Sequence, residues 1–134
     1  MAEPLMLDDN VWVSGQVAPQ TLADLAARLG VQRIVNNRPD HEEPGQPTSD
    51  EVQAAADAAG LDYVAAPIRG MPEAPAIRSV ADALADGTPT LLFCRSGMRS
   101  TAAWAMAKSA GGTDPDELRA RAGAAGYDLS RLPL

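Results

Sequence analysis

The sequence of 134 residues has little of several residue types on which other classes of protein depend. It contains one cysteine, one histidine, two tryptophans, two tyrosines and one phenylalanine. A single cysteine cannot form an internal disulfide bond, so a reducing compartment is favoured and we expect a cytoplasmic protein. One cysteine and one histidine are too few ligands for a structural zinc site. We therefore expect no metal, and no residue pattern favours a cofactor.

Positive charge and long apolar runs are also scarce. The 11 lysines and arginines are outnumbered by 18 aspartates and glutamates, which gives a net charge of −7 and an isoelectric point near 4.5. Binding to nucleic acid or to an anionic membrane surface needs a basic face, so neither is expected as a partner. No apolar run approaches the roughly 18 residues of a membrane-spanning helix. The length fits a single domain over residues 1–134.

What the sequence does contain is an alternation of strand and helix patterns. The predicted strands cover 11–13, 31–36, 61–66 and 90–93, and the predicted helices cover 19–29, 48–60, 77–84, 100–110 and 115 to 123 or 126. Gly30 is expected to end the first helix in a left-handed conformation. Thr48 and Glu51 have the spacing of a capping box, and Asp114 can cap the last helix. This alternation predicts an α/β domain with a mostly parallel central sheet flanked by helices.

A short motif follows the last predicted strand and opens the helix behind it. Residues 94–100 read Cys-Arg-Ser-Gly-Met-Arg-Ser. A tight turn between strand and helix points successive backbone N–H groups inward, and the helix N-terminus adds about half a positive charge. Ligands of parallel sheets bind beyond the carboxyl ends of the strands, which is where the motif lies. The motif therefore predicts a cradle for an anion.

Cys94 is the reactive group that such a cradle would surround. A thiol at a helix N-terminus beside cations ionises more readily than a free thiol, and its thiolate is a nucleophile. Arg95 and Arg99 supply the cations, and Gly97 allows a positive φ or a close approach of the backbone to a ligand. The alternative is a buried structural cysteine followed by two solvated arginines.

With these landmarks placed, the whole chain resembles the phosphatase-like domain of the beta-lactamase hydrolase-like proteins, a bacterial branch of the protein tyrosine and dual-specificity phosphatase fold. The stretches that carry the resemblance are residues 14–16 (SGQ), 34–47 (IVNNRPDHEEPGQP), 59–63 (AGLDY), 94–100 (CRSGMRS) and 123–129 (GAAGYDL). The resemblance implies that Cys94 attacks a phosphate ester, that a cysteinyl-phosphate forms and that water releases it. It also implies that the rest of the loop holds the substrate anion: Arg95, Ser96, Gly97, Met98 and Ser100.

The motif departs from the phosphatase pattern at two positions. Phosphatases carry an arginine six residues after the cysteine, where its planar fork binds phosphate through two hydrogen bonds; this chain has Ser100 there and Arg99 one residue earlier. Phosphatases also carry histidine before the cysteine, where this chain has Phe93. The shorter loop resembles that of a rhodanese, whose tighter ring suits a persulfide on the cysteine. The family resemblance further implies a persulfide-oxidising partner of the beta-lactamase fold.

A phosphatase needs a general acid to protonate the leaving oxygen, normally an aspartate on a loop that reaches over the cradle. Asp40, in the long polar loop 37–47, is the first candidate, and Glu73, in the irregular segment 67–75, is the second. Each alone is more often a solvated surface charge. Arg38 can contact the substrate anion, or it can pair with Asp40 or Glu42 and hold the long loop in place.

The predicted function is hydrolysis of a small phosphate ester by Cys94, with Arg99 and Asp40 as further catalytic residues and Arg38 among the substrate-binding residues. The first alternative is a sulfurtransferase that carries sulfane sulfur as a persulfide on Cys94. The second is a non-catalytic module that binds an anion or a persulfide. The expected partner in each case is a small anion, either a phosphate ester or a sulfane-sulfur donor.

Overall fold

Five short strands form one sheet in the computed structural model, which describes residues 3–134. The strands are β1 (Leu5–Asp8), β2 (Val11–Ser14), β3 (Arg33–Asn36), β4 (Asp62–Ala65) and β5 (Thr90–Phe93), in the spatial order β1-β2-β5-β3-β4. β1 is antiparallel to β2, and the other neighbouring pairs are parallel. The predicted α/β fold with a mostly parallel sheet is confirmed. Met1 and Ala2 lie outside the described residues, so the single domain over 1–134 stays a prediction.

The sequence pattern does not predict β1. This strand lies at the edge of the sheet, and Leu5 and Met6 are 49% and 55% exposed. A strand with two consecutive exposed apolar residues lacks the alternation by which a half-buried strand is recognised. β1 therefore forms because β2 offers it a partner, and its own residue pattern gives no signal.

Five α-helices within residues 3–134 cover the two faces of the sheet. They are α1 (Leu22–Leu29), α2 (Ser49–Ala58), α3 (Ala74–Leu84), α4 (Met98–Ala110) and α5 (Pro115–Ala124), and a 3-10 turn over Pro19–Thr21 precedes α1. The left-handed end of α1 at Gly30 and the capping box of Thr48 with Glu51 are confirmed. Asp114 occupies the N-cap of α5, but its side chain makes no capping hydrogen bond, so that prediction is wrong. No helix in the described part is long and apolar enough to cross a membrane.

Each face of the sheet has its own hydrophobic core. Successive residues of a strand point to opposite faces. Leu91 and Phe93 of β5 accordingly belong to the core of α1 and α2, whereas Leu92 belongs to the core of α3, α4 and α5. Trp104 of α4 is fully buried in the second core. Because both faces of β5 are covered, all four of its residues are buried, which is typical of a central parallel strand.

The carboxyl ends of the parallel strands lie in one row. Phe93 at the end of β5 is in register with Ser14 of β2 and with Asn36 of β3, and Asn36 is in register with Ala65 of β4. The segments that follow these residues therefore leave the sheet at the same edge. Cys94, which follows Phe93, is placed at the middle of that edge.

Candidate active site

Cys94 leaves β5 directly into a tight loop that curls over its side chain. Its Sγ accepts a hydrogen bond from the backbone N–H of Gly97 at 3.1 Å. Gly97 has a φ of 96°, a conformation that glycine adopts without steric cost, and α4 begins at the next residue, Met98. The helix therefore starts two residues earlier than predicted. The Cys94 side chain is fully buried at the floor of the loop, whereas Ser96 is exposed above it.

Several backbone N–H groups of this loop have no acceptor within the described residues. No group in residues 3–134 accepts a hydrogen bond from the N–H of Arg95, Ser96, Arg99 or Ser100. The first amides of a helix lack partners within the helix, and such amides bind anions at helix N-termini. The loop can therefore offer N–H donors to an anion beside the sulfur. The anion-binding role of its residues stays a prediction.

The segment after β2 supports one side of the loop. The N–H of Gln16 donates to the carbonyl of Arg95 at 3.3 Å. A Cβ at Gly15 would lie 2.9 Å from the same oxygen, so only glycine allows the two backbones to approach this closely.

A buried hydrogen-bond network supports the loop from below. Ser100 is fully buried, and its Oγ donates to Oδ1 of Asn37 at 2.7 Å. Asn37 donates from Nδ2 to the carbonyl of Ala66 at 2.9 Å and from its backbone N–H to the carbonyl of Phe93 at 2.8 Å. The network joins the ends of β3, β4 and β5 to α4 and fixes the start of the helix against the sheet. The Ser100 side chain is thus structural, and the predicted anion-binding role falls to its unpaired backbone N–H.

Arg99 is the second residue of α4 and extends toward the loop 37–47. Its Nη1 donates to Oε2 of Glu42 at 2.8 Å and to the carbonyl of Ile68 at 2.6 Å, and its Nη2 donates to Oε1 of Glu42 at 2.8 Å. The hydrogen bonds to Glu42 and, to a smaller extent, the charge of a Cys94 thiolate raise the pKa of Arg99.

The pairing of Arg99 leaves one edge of its guanidinium available. A guanidinium has five N–H donors, and within residues 3–134 the Nε–H and one Nη2–H of Arg99 have no hydrogen-bond acceptor. These two donors lie side by side and form the planar fork that binds an oxyanion. The arginine can therefore keep its bonds to Glu42 while it binds an anion near Cys94.

Five side chains around the loop form a continuous series of ion pairs, which we name the ion-pair chain. Arg95 pairs with Glu43 at 3.6 Å, Glu43 with Arg38 at 2.9 Å, Arg38 with Glu42 at 2.9 Å, and Glu42 with Arg99 at 2.8 Å. Hydrogen bonds from Arg99 and then from Arg38 lower the pKa of Glu42 to about 2. Three arginines face two carboxylates, so the ion-pair chain has an excess of positive charge that favours the binding of an anion.

Arg38 is 3% exposed and holds the long loop. Its Nε donates to Glu42 at 2.9 Å, its Nη2 to Glu43 at 2.9 Å and its Nη1 to Oε1 of Gln16 at 3.0 Å. Of the two interpretations left open by the sequence, pairing within the loop is the observed one, with Glu42 as predicted and Glu43 in place of Asp40. A direct role of Arg38 in substrate binding stays a prediction.

Asp40 lines a cavity of about 820 Å³ beside the ion-pair chain. Its Oδ1 accepts a hydrogen bond from the N–H of Ser49, at the start of α2, at 2.8 Å. Glu73 and Ile68 line the same cavity, and the carbonyl of Ile68 is the group that contacts Arg99. The loop 94–100 does not line this cavity. Both acid candidates thus border a space next to Arg99, and their catalytic role stays a prediction.

Sequence reasoning missed three residues that shape the site: Asn37, Gln16 and Tyr127. The hydroxyl of Tyr127 donates to the carbonyl of Ser96 at 2.9 Å, and burial first and the charge of Cys94 second raise the pKa of this tyrosine. All three residues lie in stretches that carry the family resemblance. That resemblance is the only signal in the sequence that points to them.

Comparison with protein families places the chain among known proteins. A family model described as "Beta-lactamase hydrolase-like protein, phosphatase-like domain" matches residues 5–111. The beta-lactamase hydrolase-like protein of Xylella fastidiosa is 36% identical over an alignment of 129 residues, and the match covers 93% of this chain and 30% of that protein. The protein of the same name from Agrobacterium fabrum is 32% identical over an alignment of 108 residues, and the match covers 79% of this chain and 25% of that protein. The chain thus spans 30% or less of the length of these curated relatives.

Solved structures share the fold. A candidate phosphatase from Neisseria meningitidis is 30% identical with a TM-score of 0.78, and the match covers 93% of this chain and 89% of that one. PTPMT1 matches with a TM-score of 0.72 at 17% identity, over 97% and 89% of the two chains. Kinase associated phosphatase, crystallised with its catalytic site cysteine replaced by serine, matches with a TM-score of 0.66 at 15% identity, over 83% and 72%. The fold is therefore that of the protein tyrosine phosphatase-like enzymes.

Proposed function

The chain belongs to the phosphatase-like domain family of the beta-lactamase hydrolase-like proteins, and on that premise we propose that it hydrolyses small phosphate esters with Cys94 as the nucleophile. The observation that carries the proposal is the position of the sulfur. It accepts the N–H of Gly97 at 3.1 Å, at the start of α4. A helix N-terminus and an adjacent cation both stabilise a thiolate.

The proposed reaction has two steps. The Cys94 thiolate attacks phosphorus, an S–P bond forms, and the P–O bond to the leaving group breaks as that oxygen takes a proton from an acid. Water then attacks phosphorus and gives a proton to the conjugate base of that acid, the S–P bond breaks, and inorganic phosphate and the thiolate are released. The unpaired N–H groups of the loop and the fork of Arg99 would bind the phosphoryl oxygens throughout.

Asp40 is our proposed acid. Its Oδ1 accepts the N–H of Ser49, and among residues 3–134 its second oxygen has no hydrogen-bond partner, which leaves that oxygen available to a leaving group. Glu73 lines the same cavity and is the second candidate. The cavity next to Arg99 supports a leaving group that extends from the loop toward this space.

A sulfurtransferase is the second candidate function, and the spacing of Cys94 and Arg99 favours it. In that reaction the thiolate attacks the sulfane sulfur of a donor such as thiosulfate, the S–S bond of the donor breaks, and sulfite leaves. A nucleophile such as cyanide then takes the terminal sulfur from the persulfide and becomes thiocyanate. If neither reaction occurs, the domain is a module that binds an anion or a persulfide.

We also make proposals for a partner protein and for the location in the cell. The curated relatives are several times longer than this chain, and their name refers to a beta-lactamase-like protein. We propose that a persulfide-oxidising partner of the beta-lactamase fold works with this domain. We also propose a cytoplasmic location, since the proposed chemistry needs a reduced cysteine.

Two assays on the same preparations separate these functions. Wild type and Cys94→Ser are incubated with an aryl phosphate and, separately, with thiosulfate plus cyanide. We expect release of phosphate by the wild type and a loss of at least about 10³-fold in Cys94→Ser, because the nucleophile is removed. Thiocyanate formation without phosphate release would assign the sulfurtransferase, and full phosphatase activity in Cys94→Ser would move the reaction away from this loop.

A further inference from the structure

Tyr127 lies over the loop that holds Cys94. It follows α5, and its hydroxyl donates to the carbonyl of Ser96 at 2.9 Å. A Cβ built at Gly97 would overlap the Tyr127 hydroxyl, so the phenol is packed against the backbone of this glycine. The contact joins the C-terminal part of the chain to the centre of the proposed active site, 31 residues earlier in the sequence.

The carbonyl that Tyr127 binds and the N–H that the sulfur binds belong to one peptide unit. The carbonyl of Ser96 and the N–H of Gly97 are the two ends of the Ser96–Gly97 peptide, and in a trans peptide they point in opposite directions. Tyr127 binds the outward end at 2.9 Å, and Cys94 Sγ binds the inward end at 3.1 Å. A rotation of this peptide would turn its N–H away from the sulfur and its carbonyl toward it.

This peptide has the freedom to rotate, unlike its neighbours. Glycine lacks the Cβ that restricts φ, so a peptide that precedes glycine exchanges between two orientations at little steric cost. The carbonyl of Arg95 is held by the N–H of Gln16, and the carbonyl of Gly97 is held by the N–H and Oγ1 of Thr101. Within residues 3–134, the hydroxyl of Tyr127 is the only hydrogen-bond donor to the carbonyl of Ser96.

We propose that Tyr127 is a positioning residue that locks the Ser96–Gly97 peptide with its N–H on the sulfur of Cys94. A carbonyl turned toward the sulfur would repel both a thiolate and an incoming anion, so the lock keeps the loop in the state that can react. The inference rests on the proposed role of Cys94 and adds to it a residue outside the 94–100 motif.

The test uses Tyr127→Phe, which keeps the ring over Gly97 and removes the hydroxyl alone. The rate of Cys94 alkylation by iodoacetamide is measured across pH, and its midpoint reports the ionisation of the only thiol in the chain. We expect the midpoint to rise by roughly one pH unit, the size of effect that one hydrogen bond to a charged group produces.

Other charged groups near the sulfur do not account for such a shift. Arg99 is paired with Glu42 at 2.8 Å, and this pair is unchanged in the variant. Tyr127 itself remains a protonated donor over this range in the wild type, because burial raises its pKa above the ordinary value.

Arg119→Gln is the matched control. It removes a hydrogen bond at 3.1 Å from Arg119 to the carbonyl of Leu132, which also anchors the C-terminal segment but involves no residue of the loop 94–100. Circular dichroism is used to check that both variants are folded. A midpoint that rises in Tyr127→Phe and stays at the wild-type value in Arg119→Gln supports the lock, and an unchanged midpoint in folded Tyr127→Phe overturns it. If wild-type Cys94 itself reacts no faster at neutral pH than free glutathione, the proposed function fails instead.

Discussion

β3 has an arginine near each end, and each arginine forms ion pairs with two carboxylates. The two ion-pair clusters differ in charge. Arg33, the first residue of β3, pairs with Asp62 at 3.2 Å and with Asp86 at 3.0 Å. Arg38, two residues beyond the other end of the strand, stands in the ion-pair chain. Both arginines are shielded from solvent, with side chains 15% and 2% exposed.

The two clusters differ in charge and in surroundings. The Arg33 cluster has one cation for two carboxylates, so its excess charge is negative and attracts no anion. It joins the starts of β3 and β4 to the segment that follows α3. The ion-pair chain has three cations for two carboxylates and borders a loop with unpaired N–H groups. Ion pairing alone is therefore not the basis of the proposed site in this molecule. The proposal rests on an excess of positive charge beside unpaired backbone donors.

Among the predicted effects that separate the two clusters, the largest is the effect of Arg99→Lys on catalysis. Lysine keeps the charge but loses the planar fork, so we expect kcat/KM for an aryl phosphate to fall by about 10²- to 10³-fold. Arg33→Lys makes the same replacement in the other cluster and should leave kcat/KM at the wild-type value. Equal losses in the two variants would mean that the clusters do not differ in function.

Arg38→Met tests, through urea unfolding, whether the ion-pair chain stabilises the fold. The free energy of unfolding should fall by about 3 kcal/mol, at the low end for breaking a buried pair, because Glu43 is 45% exposed and can return to solvent. Arg33→Met should cost about 1 kcal/mol, since Asp62 and Asp86 are 69% and 57% exposed. A smaller loss of unfolding free energy in Arg38→Met than in Arg33→Met would contradict the stronger structural role of Arg38.

Asp40→Asn tests whether Asp40, in the cavity beside the ion-pair chain, is the general acid. Asparagine can still accept the N–H of Ser49, so stability should change little. We expect kcat for phenyl phosphate, whose leaving group needs a proton, to fall by about 10²-fold, and kcat for a nitrophenyl ester to fall much less. Glu73→Gln is the control, and a loss confined to that variant would make Glu73 the acid.

The smallest expected effect is a change in acid stability. The folded-state pKa of Glu42 is about 2, below the ordinary value of 4.5, so its pairing stabilises the fold above pH 4.5 and this stabilisation is lost as the pH falls toward 2. Glu42→Gln should therefore be less stable than the wild type at neutral pH, with a difference that narrows below pH 4.5. A difference that is constant with pH would exclude charge pairing as its cause.

The sequence predicts the features of the site that adjacent residues form, and it does not predict contacts between distant residues. The apolar run of β5, the turn at Gly97 and the helix behind it are adjacent in sequence, so the position of Cys94 between a strand and a helix N-terminus is predicted by local pattern. The bond between Arg99 and Glu42 joins residues 57 apart, and nothing local indicates which of the many carboxylates an arginine meets.

Two further features escape prediction for physical reasons. β1 has no periodic pattern, because an edge strand buries little. Tyr127 reads as one more residue after a helix, and its contact with Ser96 depends on how α5 packs against α4.

The central claim, that the buried sulfur of Cys94 is the nucleophile for phosphate esters, is tested most directly by trapping its intermediate. Wild type is mixed with an aryl phosphate, quenched in acid within a turnover and digested, and the peptide that contains Cys94 is weighed by mass spectrometry. We predict a mass increase of one phosphoryl group on that peptide, absent in Cys94→Ser. Turnover of the ester with an unmodified Cys94 peptide, or with the phosphoryl group on another residue, would contradict the account.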